Sequence, residues 1–171
     1  MVILEDTKQE KLSIKNIMTK RVISTNPDAS VLDAAKLITE HHFDGIPVID
    51  KDGLLLGIVT EYDLIMKTPA INTSLLQNIL TDIYSSNDPE VSPKKEETVD
   101  ISSLKVRDIM NKDPVTLNEK ATFKEAVKLF QDHHRVNPIP VINDNGHIVG
   151  MVSRFDILQP FNILGYGIKK K

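Results

Sequence analysis

The 171-residue chain contains no cysteine and no tryptophan, and aromatic residues make up only 5% of it. Without cysteine there is no disulfide, no thiolate nucleophile and no Cys-ligated zinc, although the compartment stays open on that count. No apolar run approaches the roughly 18 residues that a membrane span needs. The opening Met1-Val2-Ile3-Leu4-Glu5-Asp6 turns acidic too early for a signal peptide, so a cytoplasmic protein without a membrane partner is expected. Neither sign of charge dominates: the formal net charge is −3, and Lys169-Lys170-Lys171 is the one basic cluster. That balance argues against nucleic acid as a partner. Also missing are a Walker-type glycine-rich loop, a His-Glu-x-x-His pair and a Gly-x-Ser-x-Gly elbow. With no catalytic constellation to be found, the chain is read as a non-enzyme.

What the chain does contain is written twice. Gly57-Ile58-Val59-Thr60-Glu61-Tyr62-Asp63 returns as Gly150-Met151-Val152-Ser153-Arg154-Phe155-Asp156. Ile14-Lys15-Asn16-Ile17-Met18 returns as Val106-Arg107-Asp108-Ile109-Met110, and Ile46-Pro47-Val48-Ile49 as Ile139-Pro140-Val141-Ile142. The spacing grows by one residue between these landmarks, so the second copy carries one insertion near Asn137. The copies run from about Ile14 to Lys67 and from about Val106 to Gln159, with an inter-repeat segment over 68–104. A repeat of this length is too small to bury its own core well, so the two should pack on each other around a pseudo-twofold axis.

Each copy reads as strand, helix, strand, strand, helix, an α/β (α+β) arrangement. Val22-Ile23-Ser24 and Val115-Thr116-Leu117 are short and β-branched, as strands are. Val31, Ala34, Ala35 and Ile38 follow one helical face, and Phe123, Ala126, Val127 and Phe130 do the same. Ser30 with Asp33, and Thr122 with Glu125, make N-terminal capping pairs. Two strands follow in each copy, Ile46–Asp50 and Leu54–Val59 in the first. Lys51-Asp52-Gly53 and Asp144-Asn145-Gly146 are the hairpin turns. Helices Glu61–Met66 and Arg154–Leu158 close the copies. Between them, Leu76, Ile79, Leu80 and Ile83 predict an amphipathic helix over Ser74–Tyr84. Residues 85–98 have the composition of a flexible linker. The tail Phe161–Ile168 is apolar enough to pack on the body or on a partner.

The repeated motif admits two readings. A strand running into a helix start offers unpaired N–H groups that suit a phosphate, and an acidic residue three positions on suits a ribose diol, as in dinucleotide-binding folds. Alternatively, Thr60 and Ser153 merely cap and each Asp merely favours the positive helix end. The paired His41-His42 and His133-His134 raise a metal reading, but neighbours on a helix point about 100° apart and a cation near a helix C-terminus needs no metal. No metal is therefore expected. Met18 and Met110 read as core filler.

Taken as an ordered set found twice, these marks resemble a tandem pair of CBS domains, the regulatory modules named after cystathionine β-synthase. The resemblance implies two β-α-β-β-α repeats packed through their sheets, leaving two clefts for an adenosine-containing ligand: AMP, ADP, ATP or S-adenosylmethionine. It assigns the ribose hydroxyls to Asp63 and Asp156 and the phosphate to Thr60 and Ser153. The adenine walls would come from near Ile46-Pro47 and Ile139-Pro140 and from the first strands near Ser24 and Thr116. It further implies a disc-shaped homodimer and, with no effector domain expected on the chain, a separate regulated protein.

The copies differ in charge. The second offers Arg154 in its motif and Arg135 before its Pro strand, where the first offers Glu61 and Asp44. Guanidinium attracts phosphate and carboxylate repels it, so phosphate is expected to bind better near Ser153–Asp156. Two functions stay open: a ligand-sensing module, and a structural or oligomerisation module whose clefts are vestigial.

Overall fold

The computed structural model of the chain describes residues 13–67 and 104–163. The expected helix over 74–84, the linker over 85–98, the basic end and most of the apolar tail lie outside the described residues.

In the first repeat, helix α1 (Val31–His41) begins at Ser30, whose hydroxyl accepts from Asp33 N–H. It buries Val31, Ala34 and Ile38, the face that the spacing predicts. Strands β1 (Gly45–Ile49) and β2 (Leu55–Thr60) form an antiparallel hairpin pairing Ile46 with Val59 and Val48 with Gly57. Gly53 turns the hairpin at φ 84°, a region where a side chain is strained. Helix α2 (Glu61–Lys67) follows β2 without a break. In the second repeat, α3 (Val106–Ile109) is the opening turn, β3 (Leu117–Asn118) runs parallel to β4 (Ile139–Ile142), and β4 pairs antiparallel with β5 (Ile148–Val152). Between β3 and β4 lies α4 (Phe123–Asp132), and the repeat ends in α5 (Arg154–Ile163).

The first strands are shorter than their β-branched residues suggest. Val22-Ile23-Ser24 form no strand; the backbone joins β1 only at Thr25, through Thr25 N–H to Pro47 O (3.0 Å) and Ile49 N–H to Thr25 O (3.0 Å). In the second repeat pairing likewise starts only at Leu117. The reason is an exchange between repeats. Thr19 bonds both ways with Met151 on β5, and Asn111 bonds both ways with Ile58 on β2. Residues 20–24 and 112–116 therefore cross from the partner repeat's sheet to their own, and cannot pair along either.

The exchange also builds the cores. One contains Val31, Ile38, Ile46, Val48, Val59 and, from the second repeat's opening turn, Val106 and Ile109. The other contains Leu117, Phe130, Ile139, Val141, Val152 and, from the first repeat, Ile14. Fully burying a side chain of this size is worth about 1.5–3 kcal/mol, so each repeat takes part of its stability from its neighbour's first residues. The crossings are reciprocal: Ile14 N–H donates to Ala121 O as Val106 N–H donates to Ala29 O, and Leu55 N–H donates to Gly146 O as Ile148 N–H donates to Gly53 O. That reciprocity is the pseudo-twofold relation expected of the pair.

Candidate functional site

Both motifs are reciprocal caps. Thr60 N–H and its hydroxyl donate to Asp63 Oδ2 at 3.0 and 2.6 Å, and Asp63 N–H returns to Thr60 Oγ1 at 3.3 Å. Ser153 N–H and hydroxyl donate to Asp156 Oδ2 at 2.7 and 2.8 Å, with Asp156 N–H to Ser153 Oγ at 3.3 Å. The next N–H in each helix is also taken, Glu61 by Asp44 O (3.1 Å) and Arg154 by Asn137 Oδ1 (2.9 Å). The helix starts are thus largely satisfied by the protein itself, contrary to the picture of bare N–H groups awaiting a phosphate.

Buried carboxylates need partners, and the two Asp residues meet that need differently. Asp63 and Asp156 are both buried. Asp63 Oδ1 is held by Lys67 Nζ at 2.7 Å, one helical turn on, and the same ammonium donates to Ile109 O at 3.0 Å. Asp156 has Pro160 at the matching position, and among the described residues it joins no ion pair.

Each motif faces its own cleft, and each cleft is walled by both repeats. The Thr60–Asp63 cleft encloses about 760 Å³; the second repeat contributes Pro114, Val115, Arg135, Asn137 and Arg154 to it. The Ser153–Asp156 cleft encloses about 310 Å³ and is lined from the first repeat by Arg21, Val22, Ile23, Phe43, Ile46 and Pro47. Asp44 and Pro138 border both.

Several expectations change accordingly. Arg135 and Arg154 face the first repeat's motif, not their own, because the cleft is formed across the repeats. This removes the ground for placing phosphate beside Ser153–Asp156. Arg154 is further engaged with His134 O and lies over the Phe130 ring at 5.7 Å. Ile46 and Pro47 do wall a cleft, but the one belonging to Ser153 and Asp156. Ile139 and Pro140 are buried and line neither cleft; Pro138 stands at the wall instead. Ser24 and Thr116 line neither; the crossing residues Val22, Ile23, Pro114 and Val115 do. Sequence reasoning also missed Lys67, whose i+4 spacing from Asp63 was a legible signal, and Asn137. The inserted Asn137 bonds Asp44 of the first repeat with its amide N–H while its oxygen caps α5.

Among the described residues no cluster of three or more His, Asp or Glu is arranged to hold a metal ion, and no helix is long and apolar enough to cross a membrane.

Two repeats exchanging their opening turns over a pair of clefts define a tandem CBS module. A family model for the CBS domain matches residues 14–68 and 106–161, and the chain belongs to that family. A CBS domain-containing protein of Dictyostelium discoideum is 30% identical over 150 residues, spanning 87% of this chain and 90% of its own length. In solved structures the fold is shared with the CBS-pair protein CBSX2 of Arabidopsis thaliana. Its complex with AMP is 23% identical, with a TM-score of 0.65 over 90% of this chain and 98% of that one. It is shared also with the CBS domain pair of protein MJ0100, in complex with 5′-methylthioadenosine and S-adenosyl-L-methionine. That pair is 22% identical, with a TM-score of 0.61 over 87% of this chain and 98% of that one.

Proposed function

We propose that the chain is a regulatory module that binds an adenosine-containing small molecule, AMP, ADP, ATP or S-adenosylmethionine, and passes the resulting change of conformation to a separate effector protein. One observation carries this reading. Each cleft joins the Thr/Ser–Asp motif of one repeat to the crossing segment or Pro strand of the other, so any occupant touches both repeats. Its binding energy then depends on how the repeats are set against each other, which is the differential affinity that a switch requires. The AMP and S-adenosylmethionine complexes of the similar folds support the choice of ligand class.

The module acts in the cytoplasm as a homodimer. Tyr62, Ile65 and Met66 on α2 and Phe155 and Leu158 on α5 are exposed, and matching apolar positions on two pseudo-twofold-related helices suit a symmetric partner. A concentration-independent monomer mass in sedimentation would overturn that part. The same surface favours the second reading, an oligomerisation module with vestigial clefts.

A thermal-shift screen of the full chain against AMP, ADP, ATP, S-adenosylmethionine and adenosine, with GMP as control, separates the two. A ligand at 100 times its dissociation constant adds about 2.7 kcal/mol, a rise of roughly 5–10 °C for a chain of this size. A rise with adenine ligands alone supports the sensor. No rise with any of them leaves the oligomerisation module.

A further inference from the structure

Building on adenosine binding in the clefts, we infer that the two clefts sort ligands by charge: the Thr60–Asp63 cleft takes phosphorylated adenosine, and the Ser153–Asp156 cleft takes adenosine that carries no phosphate.

The helix starts have little left to offer a phosphate. The N–H groups of Thr60, Glu61 and Asp63 are already donating within the protein, as are those of Ser153, Arg154 and Asp156. With only the Tyr62 and Phe155 N–H groups left over at the helix starts, a phosphate in either cleft depends mainly on cationic side chains, whose bonds to phosphate are the stronger kind in any case. Those side chains are unevenly shared. Lys67, Arg135 and Arg154 line the Thr60–Asp63 cleft, facing the carboxylates of Asp44, Glu61 and Asp63. The Ser153–Asp156 cleft has Arg21 and the imidazole of His42 against Asp44 and Asp156.

The acidic groups are also in different states of compensation. Asp63 is paired with Lys67, and Asp44 accepts from the Asn137 amide at the boundary of both clefts. A phosphate entering beside Asp63 thus meets an ion pair, and Arg135, which takes part in no ion pair among the described residues, is the cation at hand. Beside Asp156, the same phosphate would meet a buried carboxylate with no cation paired to it among those residues. A neutral ribose diol has the opposite requirement: it donates two hydroxyls, and the Asp156 oxygen left over from the cap accepts them without first sharing a lysine. Size agrees. At about 310 Å³ the Ser153–Asp156 cleft stands at the small end of ligand sites, which run from about 300 to 1,000 Å³. The apolar Val22, Ile23, Phe43 and Pro47 that wall it suit a base and sugar. The Thr60–Asp63 cleft, at about 760 Å³, leaves room for phosphate.

The test compares AMP with adenosine, which differ by the phosphate alone, in isothermal titrations of the full chain and of three variants. Arg135→Ala alters an exposed residue; Asp63→Asn and Asp156→Asn keep an oxygen that accepts the capping bonds. Wild-type protein should bind AMP and adenosine together, at separate sites. Arg135→Ala should weaken AMP by about 10- to 100-fold, the loss of one hydrogen bond to a charged group, and leave adenosine unchanged. Asp156→Asn should weaken adenosine and spare AMP, and Asp63→Asn the reverse. Raising the salt concentration should weaken AMP only. One-for-one competition between AMP and adenosine, unchanged AMP affinity in Arg135→Ala, or loss of AMP in Asp156→Asn overturns the sorting while leaving adenosine binding intact. Binding of neither ligand overturns the sorting, and the thermal-shift screen with ADP, ATP and S-adenosylmethionine then decides whether the adenosine reading falls with it.

Discussion

Gly57 and Gly150 open the two motifs. Their reason is packing across the repeats. A methyl group on Gly57 would lie 2.5 Å from Asn111 O and 3.2 Å from Met110 Sδ; on Gly150 it would lie 2.6 Å from Met18 Sδ and 3.2 Å from Thr19 O. The sulfur of each repeat's opening methionine thus rests on the glycine of the other. Gly57→Ala should destabilise the chain by about 1–3 kcal/mol in urea titrations, because a backbone carbonyl cannot step aside. Gly150→Ala should cost less, since the Met18 side chain can turn away, and a double-mutant cycle with Met18→Ala should show coupling above about 0.5 kcal/mol. Both residues were visible in the repeat, and so were the methionines. Their contact was not, because sequence reasoning pairs residues within a repeat and this contact runs between repeats. Arg135 and Arg154 were misassigned to the wrong cleft on the same ground.

At the scale of elements, signals that act over three or four residues were the readable ones. The buried face of α1, the Ser30 and Thr122 caps, and the turns at Gly53 and Gly146 all follow local chemistry. The Thr122–Glu125 pair is a full capping box. The Thr122 backbone N–H, and then its hydroxyl, hold the Glu125 carboxyl below the usual carboxylate range. A folded-state value below the unfolded one stabilises the protein above the unfolded value, and the contribution is lost as pH falls through the folded one. The stability difference between wild type and Glu125→Ala should therefore be present near neutral pH and shrink below about pH 4 in denaturant titrations. A difference that persists undiminished in acid would assign the effect to helix propensity instead. The first strands were overread for a converse reason. Val22-Ile23-Ser24 and Val115-Thr116 have strand composition, yet their backbones are committed to crossing between sheets. Composition cannot say where a chain must travel, and those crossings are the parts of the first strands that reach the clefts.

For the molecule as a whole, the two cores are each completed by the other repeat. Ile14 belongs by sequence to the first repeat and is fully buried in the core of the second. Ile14→Ala should cost about 2–5 kcal/mol, and hydrogen exchange should quicken first in β4 and β5 rather than in β1 and β2. Faster exchange confined to the first hairpin would contradict the exchange of turns. The pseudo-twofold pair, the order of elements and the family were legible because duplication prints the same pattern twice. Which wall faces which motif was not, since a symmetric sequence is equally compatible with clefts formed within a repeat or between them.

The reciprocal opening turns bear on what a break in the chain would do. Each half carries a plug for the other and a hole that only the other fills, with Val106 and Ile109 on one side and Ile14 on the other. Severed between residues 68 and 103, the molecule would behave as a lock made of two keys. Neither fragment has a closed interior alone, and mixing the two would restore both at once or neither.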